Sequence, residues 1–282
     1  MKHTEGFLDV RHSKARGSSR LFQQTWEPDG QTLAVVLLVH GLGEHSGRYA
    51  HVAEHLTERG FAIYTLDHYG HGKSDGHAGF VERFSVYLDG VGALLEKARD
   101  EQPDVPFFLI GHSMGGLIAA TYLLDNQDAF TACVLSGPAL KTDQAPPALL
   151  LALNRLLSKL VPTLPMIQLD VSGVSRDPAV VDAYVSDPLV FHGKLSARLI
   201  AELSATMDDT LSRAGEIRIP LILLHGEKDV LTAPSGSQEM FDNVSSDDKT
   251  LKIYPGLFHE IFNEPEKETV LLEMSAWLEA QL

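Results

Sequence analysis

Six short apolar runs alternate along the chain with longer stretches of helical period. The runs are LAVVLLVHG, GFAIYTLD, VPFFLIGHS, TACVLSGP, IPLILLHGE and KTLKIYPG. Between them, RYAHVAEHLTERG, FSVYLDGVGALLEKARDEQ and MGGLIAATYLLDNQDAF repeat apolar residues at three- and four-residue intervals. The runs are nearly continuous in branched and aromatic residues, as parallel strands covered on both faces should be. Strands alternating with helices predict an α/β fold with a mostly parallel, doubly wound sheet. GFLDV and SRLFQQTWEP, near the N-terminus, read as an antiparallel pair at the edge of that sheet.

The alternation stops between Leu140 and Gly215. This stretch offers no convincing strand, opens with KTDQAPP and continues as ALLLALNRLLSKLVPTLPM. Leu149, Leu153, Leu156 and Leu160 form one helical stripe, which Leu150, Leu151 and Leu157 widen. Pro162 and Pro165 stop the helix. The chain thus divides into a core of residues 1–139 and 215–282, and a helical cap of residues 140–214 inserted after a strand ending near Ser136. Most of the cap leucines are expected to pack on the core, because exposed apolar patches are uncommon. The remainder would give a site beneath the cap a greasy wall.

With 44% hydrophobic and 22% charged residues, composition adds only that the protein is globular and of ordinary solubility. Charge changes the picture more. Lys and Arg number 23 against 38 Asp and Glu, a formal charge of -15. Such a surface repels phosphate backbones and anionic headgroups, which disfavours nucleic acid and leaves a neutral small ligand. The single cysteine, Cys133, lies in TACVLSG and reads as a buried strand residue, so no disulfide framework or Cys-based zinc site is expected. MKHTEGFLDVRHSKARGSS has no apolar h-region, and no apolar run reaches the roughly 18 residues of a membrane span. The expected location is cytoplasmic, with contact at a membrane surface left open.

The candidate chemistry begins at Gly111-x-Ser113-x-Gly115. Three fixed residues match by chance in about one chain in ten of this length. The apolar run before them and the helical pattern after them supply the setting of a nucleophile elbow, in which the serine hydroxyl stands at a helix N-terminus. A serine needs a base and an orienting acid. In this arrangement they follow in the order acid, histidine, each past a late strand. IPLILLHGEKD puts Asp229 past one run and KTLKIYPGLFHE puts His259 past the next. Glu227 is the rival acid. His225, inside the strand run, and His192, in the cap, fit less well as the base. An oxyanion hole would take the N–H of Met114 and that of Leu42 in VVLLVHGLGEHSG.

Other patterns compete. His51-Val52-Ala53-Glu54-His55 matches a zinc-peptidase pattern, with a solvated helix face as the plainer reading. Gly72-Lys73-Ser74 resembles the end of a phosphate-binding loop, but Asp67 occupies the upstream glycine position. His259-Glu260 begins a metallopeptidase pattern that Asn263 breaks.

The residues together resemble a known family. His40-Gly41-Leu42-Gly43-Glu44-His45-Ser46-Gly47-Arg48-Tyr49, Asp67 to Ser74, Gly111 to Gly116, Tyr184-Val185-Ser186-Asp187-Pro188-Leu189 and the Asp229 and His259 segments are similar to those of α/β-hydrolases. Within that fold they resemble the monoacylglycerol lipases of the lysophospholipase-like, serine aminopeptidase S33 (Hydrolase_4) group. The resemblance implies an α/β-hydrolase fold and a cofactor-independent serine ester hydrolase with Ser113, Asp229 and His259 as its triad. It implies an oxyanion hole at Leu42 and Met114, and places Glu44, Arg48 and Tyr184 near the pocket for the glycerol end. The cap would form a lipophilic channel for the acyl chain and the surface for any transient membrane contact. Where mammalian enzymes carry a second histidine three residues after the catalytic one, this chain has Phe262, which implies altered recognition of the glycerol hydroxyls. The expected activity is release of fatty acid and glycerol from a monoacylglycerol through an acyl-enzyme, with a lysophospholipase or general carboxylesterase as the alternative. A zinc peptidase using His51 and His55, and a non-catalytic ligand-binding protein on the same fold, are the remote ones.

Overall fold

The computed structural model describes residues 1–15, 17–142 and 148–282, and the side chains of residues 148, 149 and 151 also lie outside the description. The expectations for Leu149, for Leu151 and for most of KTDQAPP therefore fall outside the described residues.

Eight strands form one sheet in the order β1-β2-β4-β3-β5-β6-β9-β10. β1 (Lys2–Arg11) and β2 (Ser18–Glu27) are the expected antiparallel pair, and β2 also runs antiparallel to β4 (Phe61–Leu66). From β4 the sheet is parallel through β3 (Ala34–Val39), β5 (Phe107–His112), β6 (Ala132–Ser136), β9 (Leu221–Gly226) and β10 (Lys249–Tyr254). Every residue of β3, β4, β5, β6 and β9 is buried, which is why these runs read as continuously apolar rather than alternating.

Helices cover both faces. α1 (Ala50–Thr57) and α8 (Lys267–Glu279) pack one apolar layer with Trp26, Val36, Phe61 and Phe108. α2 (Ser85–Glu101) and α3 (Met114–Asn126) pack the other, with Val35, Leu37, Leu109 and Leu135. α3 is buried almost all round, so its apolar character is not confined to one stripe. Cys133 is fully buried in β6, where burial pushes its thiol pKa up and leaves it inert.

Between β6 and β9 lie α4 (Ala148–Leu160), β7 (Pro165–Gln168), α5 (Pro178–Ser186), β8 (Lys194–Ser196) and α6 (Ala197–Ser212). The antiparallel pair β7·β8 was not expected in a helical insertion. PMIQ opens on a proline and is largely exposed, so it carries no alternation that would mark a strand. α7 (Pro234–Asn243) follows β9.

The parallel strands bring their C-terminal ends to one edge of the sheet. The segments that follow β3, β5, β9 and β10 carry Leu42, Ser113, Asp229 and His259, and the inserted segment leaves from the end of β6 beside them. Residues nearly 220 positions apart thereby meet at the carboxyl edge, where open α/β sheets bind ligands.

Candidate active site

Ser113 occupies the turn from β5 into α3 with φ 56° and ψ -120°, the one non-glycine residue at positive φ among those described. A backbone held there costs about 1–3 kcal/mol and persists only where its surroundings enforce it. The surroundings are visible: Ser113 N–H donates to Ser136 O at 2.9 Å, and Ser113 O accepts from Leu117 and Ala139 at 3.1 and 2.9 Å. The flanking glycines answer to close approach. A Cβ on Gly115 would stand 2.0 Å from Val39 O, and one on Gly111 2.3 Å from Gly115 O. The turn is tight enough that the helix starts against the ends of two strands.

Leu42 lies in the loop after β3, held by its neighbours on both sides. His40 Nδ1–H donates to Gly41 O at 2.8 Å, and His40 Nε2 accepts the His68 N–H at 2.9 Å. A carbonyl can only accept and an amide N–H only donate, so these two bonds fix the neutral tautomer of His40. Burial, followed by His68 and His71, holds its pKa far below the usual histidine range. Glu44 Oε1 accepts the Gly41 N–H at 2.6 Å. A Cβ on Gly41 would be 3.1 Å from Ser113 Cβ, so this loop runs directly beside the elbow. Met114, the first residue of α3, has an N–H with no carbonyl to bond within its own helix. Both expected oxyanion donors thus border the position of Ser113.

His259 Nδ1 is 2.6 Å from Asp229 Oδ2, which leaves Nε2 as the nitrogen away from the carboxylate. Burial alone would lower the His259 pKa, but the Asp229 charge and hydrogen bond outweigh it, with Glu260 and Glu44 adding to them, and the pKa is raised. Burial alone would raise Asp229. His259, hydrogen bonds from His225 and His259, and the Thr232 N–H overcome that and hold the carboxyl well below its usual range. His112, its ring tilted 48° to that of His259 with centroids 4.7 Å apart, is pushed down to about 3 by burial and by His259 and stays neutral beside it. Glu227, the rival acid, is exposed and accepts the Gly256 N–H at 3.0 Å, a turn contact away from His259.

Ser113, His259, Leu42, Met114, Glu44 and Tyr184 line one cavity of about 300 Å³. Arg48 stands behind it, with its guanidinium 4.6 Å from the Tyr184 ring. Arg48 forks onto Glu260 at 2.6 and 2.7 Å and reaches Glu44 at 2.7 Å, tying the loop after β3 to the loop that carries His259. Glu44 also accepts from Tyr49 Oη at 2.7 Å. Its oxygens therefore hold Gly41, Arg48 and Tyr49 as well as facing the cavity. Glu260, which also lines the cavity, was marked in the sequence only by its place beside the histidine, in the pattern that Asn263 breaks. Phe262 is buried in the layer with α1 and α8, and its carbonyl accepts from His51 Nε2 at 2.8 Å.

The cap's contribution differs from the expected one. Leu150, Leu153, Leu156 and Leu160 of α4 are 53%, 48%, 52% and 70% exposed, whereas Asn154 and Ser158 on the opposite side are buried. Among the described side chains, Asn154 and Ser158 are on the packed side of α4 with half-buried Leu157, and Asn154 Nδ2 donates to Ala197 O at 3.3 Å. The four exposed leucines neither pack on the core nor line the cavity. Its apolar wall comes instead from Ile167, Leu169, Val171, Val174, Leu195, Ile200, Leu203 and Met207.

The competing motifs are accounted for by protein contacts. His51 bonds the Phe262 carbonyl and His55 Nε2 lies 3.0 Å from Ser275 Oγ, both against α8 or the loop before it. No three His, Cys, Asp or Glu residues form a metal-holding group among the described residues. Gly72-Lys73-Ser74 wraps Asp67, whose Oδ2 accepts the Lys73 N–H at 2.8 Å. His192 lines a neighbouring cavity with Gly43 and Phe191.

Several known proteins resemble this chain over most of its length. The family profile Hydrolase_4, described as serine aminopeptidase S33, matches residues 30–266. The monoacylglycerol lipase of Mycolicibacterium smegmatis is 40% identical over 94% of this chain and 95% of its own. The monoglyceride lipase of Mus musculus is 32% identical over 96% of this chain and 91% of its own. The crystal structure of Paleococcus ferrophilus monoacylglycerol lipase superposes with a TM-score of 0.85 at 33% identity, covering 93% of this chain and 99% of that one. An α/β-hydrolase sheet, an elbow serine and a profile match across most of its length place the chain in the Hydrolase_4 (serine aminopeptidase S33) family.

Proposed function

We propose that the protein is a serine ester hydrolase acting on monoacylglycerols. Ser113 is the nucleophile, His259 the base and Asp229 the orienting acid. The observation that carries this reading is the strained Ser113 backbone facing a cavity shared with a carboxylate-bound His259. His259 Nε2 takes the serine proton as Oγ attacks the ester carbonyl, and the Leu42 and Met114 N–H groups receive the developing oxyanion. The acyl–oxygen bond then breaks, glycerol leaves with the proton from His259, and the acyl group stays on Ser113. Water, deprotonated by His259, releases the fatty acid and restores the serine. No cofactor enters any step.

The substrate class is supported by the names of the relatives and by the cavity itself. Residues 140–214 act as a cap whose β7, β8 and α6 side chains flank the acyl chain, and Glu44, Arg48 and Tyr184 form the polar end for glycerol. A lysophospholipase is the second reading. Two buried carboxylates, Glu44 and Glu260, against the single guanidinium of Arg48 weigh against a phosphodiester headgroup there. Hydrolysis of a monoacylglycerol, a lysophosphatidylcholine and a p-nitrophenyl ester of equal acyl length tests the choice. The monoacylglycerol should give the highest kcat/KM, and a faster lysophospholipid would overturn the preference.

No helix among the described residues is long and apolar enough to cross a membrane. We place the protein in the cytoplasm, and the outward leucines of α4 support its meeting a lipid surface through the cap. With a net charge of -15 the surface should be zwitterionic, since anionic lipid would repel it. Each leucine contributes about 1–2 kcal/mol on burial. Replacing Leu153, Leu156 and Leu160 together by serine should weaken binding to phosphatidylcholine vesicles by at least about tenfold. Turnover of a soluble short-chain ester should stay unchanged, because these side chains stand outside the cavity. Undiminished vesicle binding in a sedimentation assay would remove the leucines from this role.

A further inference from the structure

The Asp229 carboxylate touches a second histidine besides His259. Its Oδ1 accepts the N–H groups of Leu231 and Thr232 at 2.8 and 2.9 Å. Its Oδ2 meets His259 Nδ1 at 2.6 Å, Thr232 Oγ1 at 2.9 Å and His225 Nε2 at 3.1 Å. His225 is fully buried in β9, four residues before the acid. Its Nε2 is also 3.1 Å from Thr232 O, and its Nδ1 is 2.7 Å from Ser237 Oγ in the first turn of α7.

These partners determine where the proton sits. A carboxylate and a carbonyl can only accept, so His225 Nε2 must carry a hydrogen. In the neutral ring Nδ1 is then the acceptor, and the Ser237 hydroxyl donates to it. The result is a directed chain in which Ser237 donates to His225, and the His225 Nε2–H is shared between Thr232 O, its better-aligned acceptor, and the Asp229 oxygen that His259 uses. We propose that His225 is a positioning residue for the acid: its Nε2–H holds Oδ2 in the orientation that meets His259 Nδ1, and it takes a share of the carboxylate charge. This rests on the reading of Ser113, His259 and Asp229 as the catalytic set. A histidine that merely satisfied its own polar atoms in the core would affect stability and nothing else.

Removing the donor has two consequences. The carboxylate is less firmly aimed, so kcat falls while KM stays near its original value. It also keeps more of its charge for His259, so the imidazolium is held more strongly and the acid limb of the pH profile moves up. The other groups facing His259 are His112 from the end of β5, Glu260 beside it, and Glu44 with Arg48 from the loop after β3. None of them changes, so the displacement can be assigned to His225.

His225→Leu should lower kcat by about tenfold to a hundredfold, the worth of a hydrogen bond to a charged group. Its kcat/KM acid limb should move to higher pH. His225→Gln, whose amide N–H can reach the same oxygen, should restore kcat to within a few-fold and return the limb. Ser237→Ala leaves the ring and its tautomer in place but removes the donor that polarises it through Nδ1, which weakens the Nε2–H as a donor. It should show a smaller loss of kcat in the same direction, and it decides the matter if His225→Leu does not fold. Unchanged kcat and an unmoved limb in His225→Leu, or in Ser237→Ala should that be the variant that folds, would overturn the proposal, even with a lowered Tm. Ser113→Ala assayed alongside separates the two levels. If it is inactive while His225→Leu behaves as wild type, only this proposal fails. If it retains full activity, the catalytic set fails and this proposal with it.

Discussion

Ser113→Ala should lower ester hydrolysis by about 10⁵- to 10⁶-fold in kcat, leaving a folded protein with nearly unchanged Tm. The loss is large because no other cavity hydroxyl among the described residues stands at an elbow on the side of His259 away from Asp229; Thr232 Oγ1 meets the Nδ1 side at 3.3 Å. Thr232 Oγ1 also borders the cavity, but it is engaged with Asp229 Oδ2 and Gly137 O at 2.9 and 3.0 Å. Ser204 and Thr142 line the wall, and among the described residues neither is hydrogen-bonded to a histidine. Stability should hold because the strain at φ 56° belongs to the backbone, which Ser136, Leu117 and Ala139 clamp without using the serine hydroxyl. Alanine pays the same conformational cost in the same turn. The check is an initial-rate assay on a monoacylglycerol and a p-nitrophenyl ester, with the mass of the protein after a fluorophosphonate. Wild type should gain one phosphonyl group and the variant none. Turnover within tenfold of wild type would remove Ser113 from the chemistry.

Much of this site could be read from the chain because each part sits just beyond a strand that announces itself. The parallel strands are apolar throughout, so their ends are visible in the sequence, and Ser113, Asp229 and His259 each follow one. Leu42 followed from the same rule, with the neighbouring glycines as a second signal. Other features carried no such mark. The stripe of α4 was legible as a stripe, but a period of 3.6 residues gives a face and not the side that is covered. Whether leucines face inward depends on what α6 offers, and here its first residue, Ala197, receives Asn154. Leu203 and Met207 form the wall from a helix whose sequence looks ordinarily amphipathic. Glu260 follows His259 in the sequence, but its pairing with Arg48 is tertiary, as is the contact of His225 with Ser237. His225 in particular reads as a strand residue, and only the approach of α7 and the loop of Asp229 turns its two nitrogens into contacts with Ser237 and the acid.

Asp229→Asn should cost about 10⁴-fold in kcat, and the direction in which an asparagine must sit explains why. The N–H groups of Leu231 and Thr232 both donate to Oδ1. They will select the asparagine carbonyl for that place and leave the amide NH₂ where Oδ2 was. There it confronts donors: His259 Nδ1, Thr232 Oγ1 and His225 Nε2. His259 can adapt by moving its proton to Nε2 and accepting at Nδ1. That tautomer presents an N–H to Ser113 in place of a lone pair, and the serine loses its base. The pH profile should shift as well, with a definite sign. In the wild type Asp229 raises the His259 pKa against burial, so activity is lost as pH falls through a value above the ordinary histidine range. Without the anion, burial becomes the leading influence and lowers that pKa, so the acid limb of kcat/KM should move to lower pH while the plateau collapses. Glu227→Gln serves as the comparison, since its carboxylate meets the Gly256 N–H and Lys228 rather than His259, and its loss should leave both plateau and limb in place. A profile in which Glu227→Gln collapses the plateau and Asp229→Asn does not would transfer the acid's role to the exposed carboxylate.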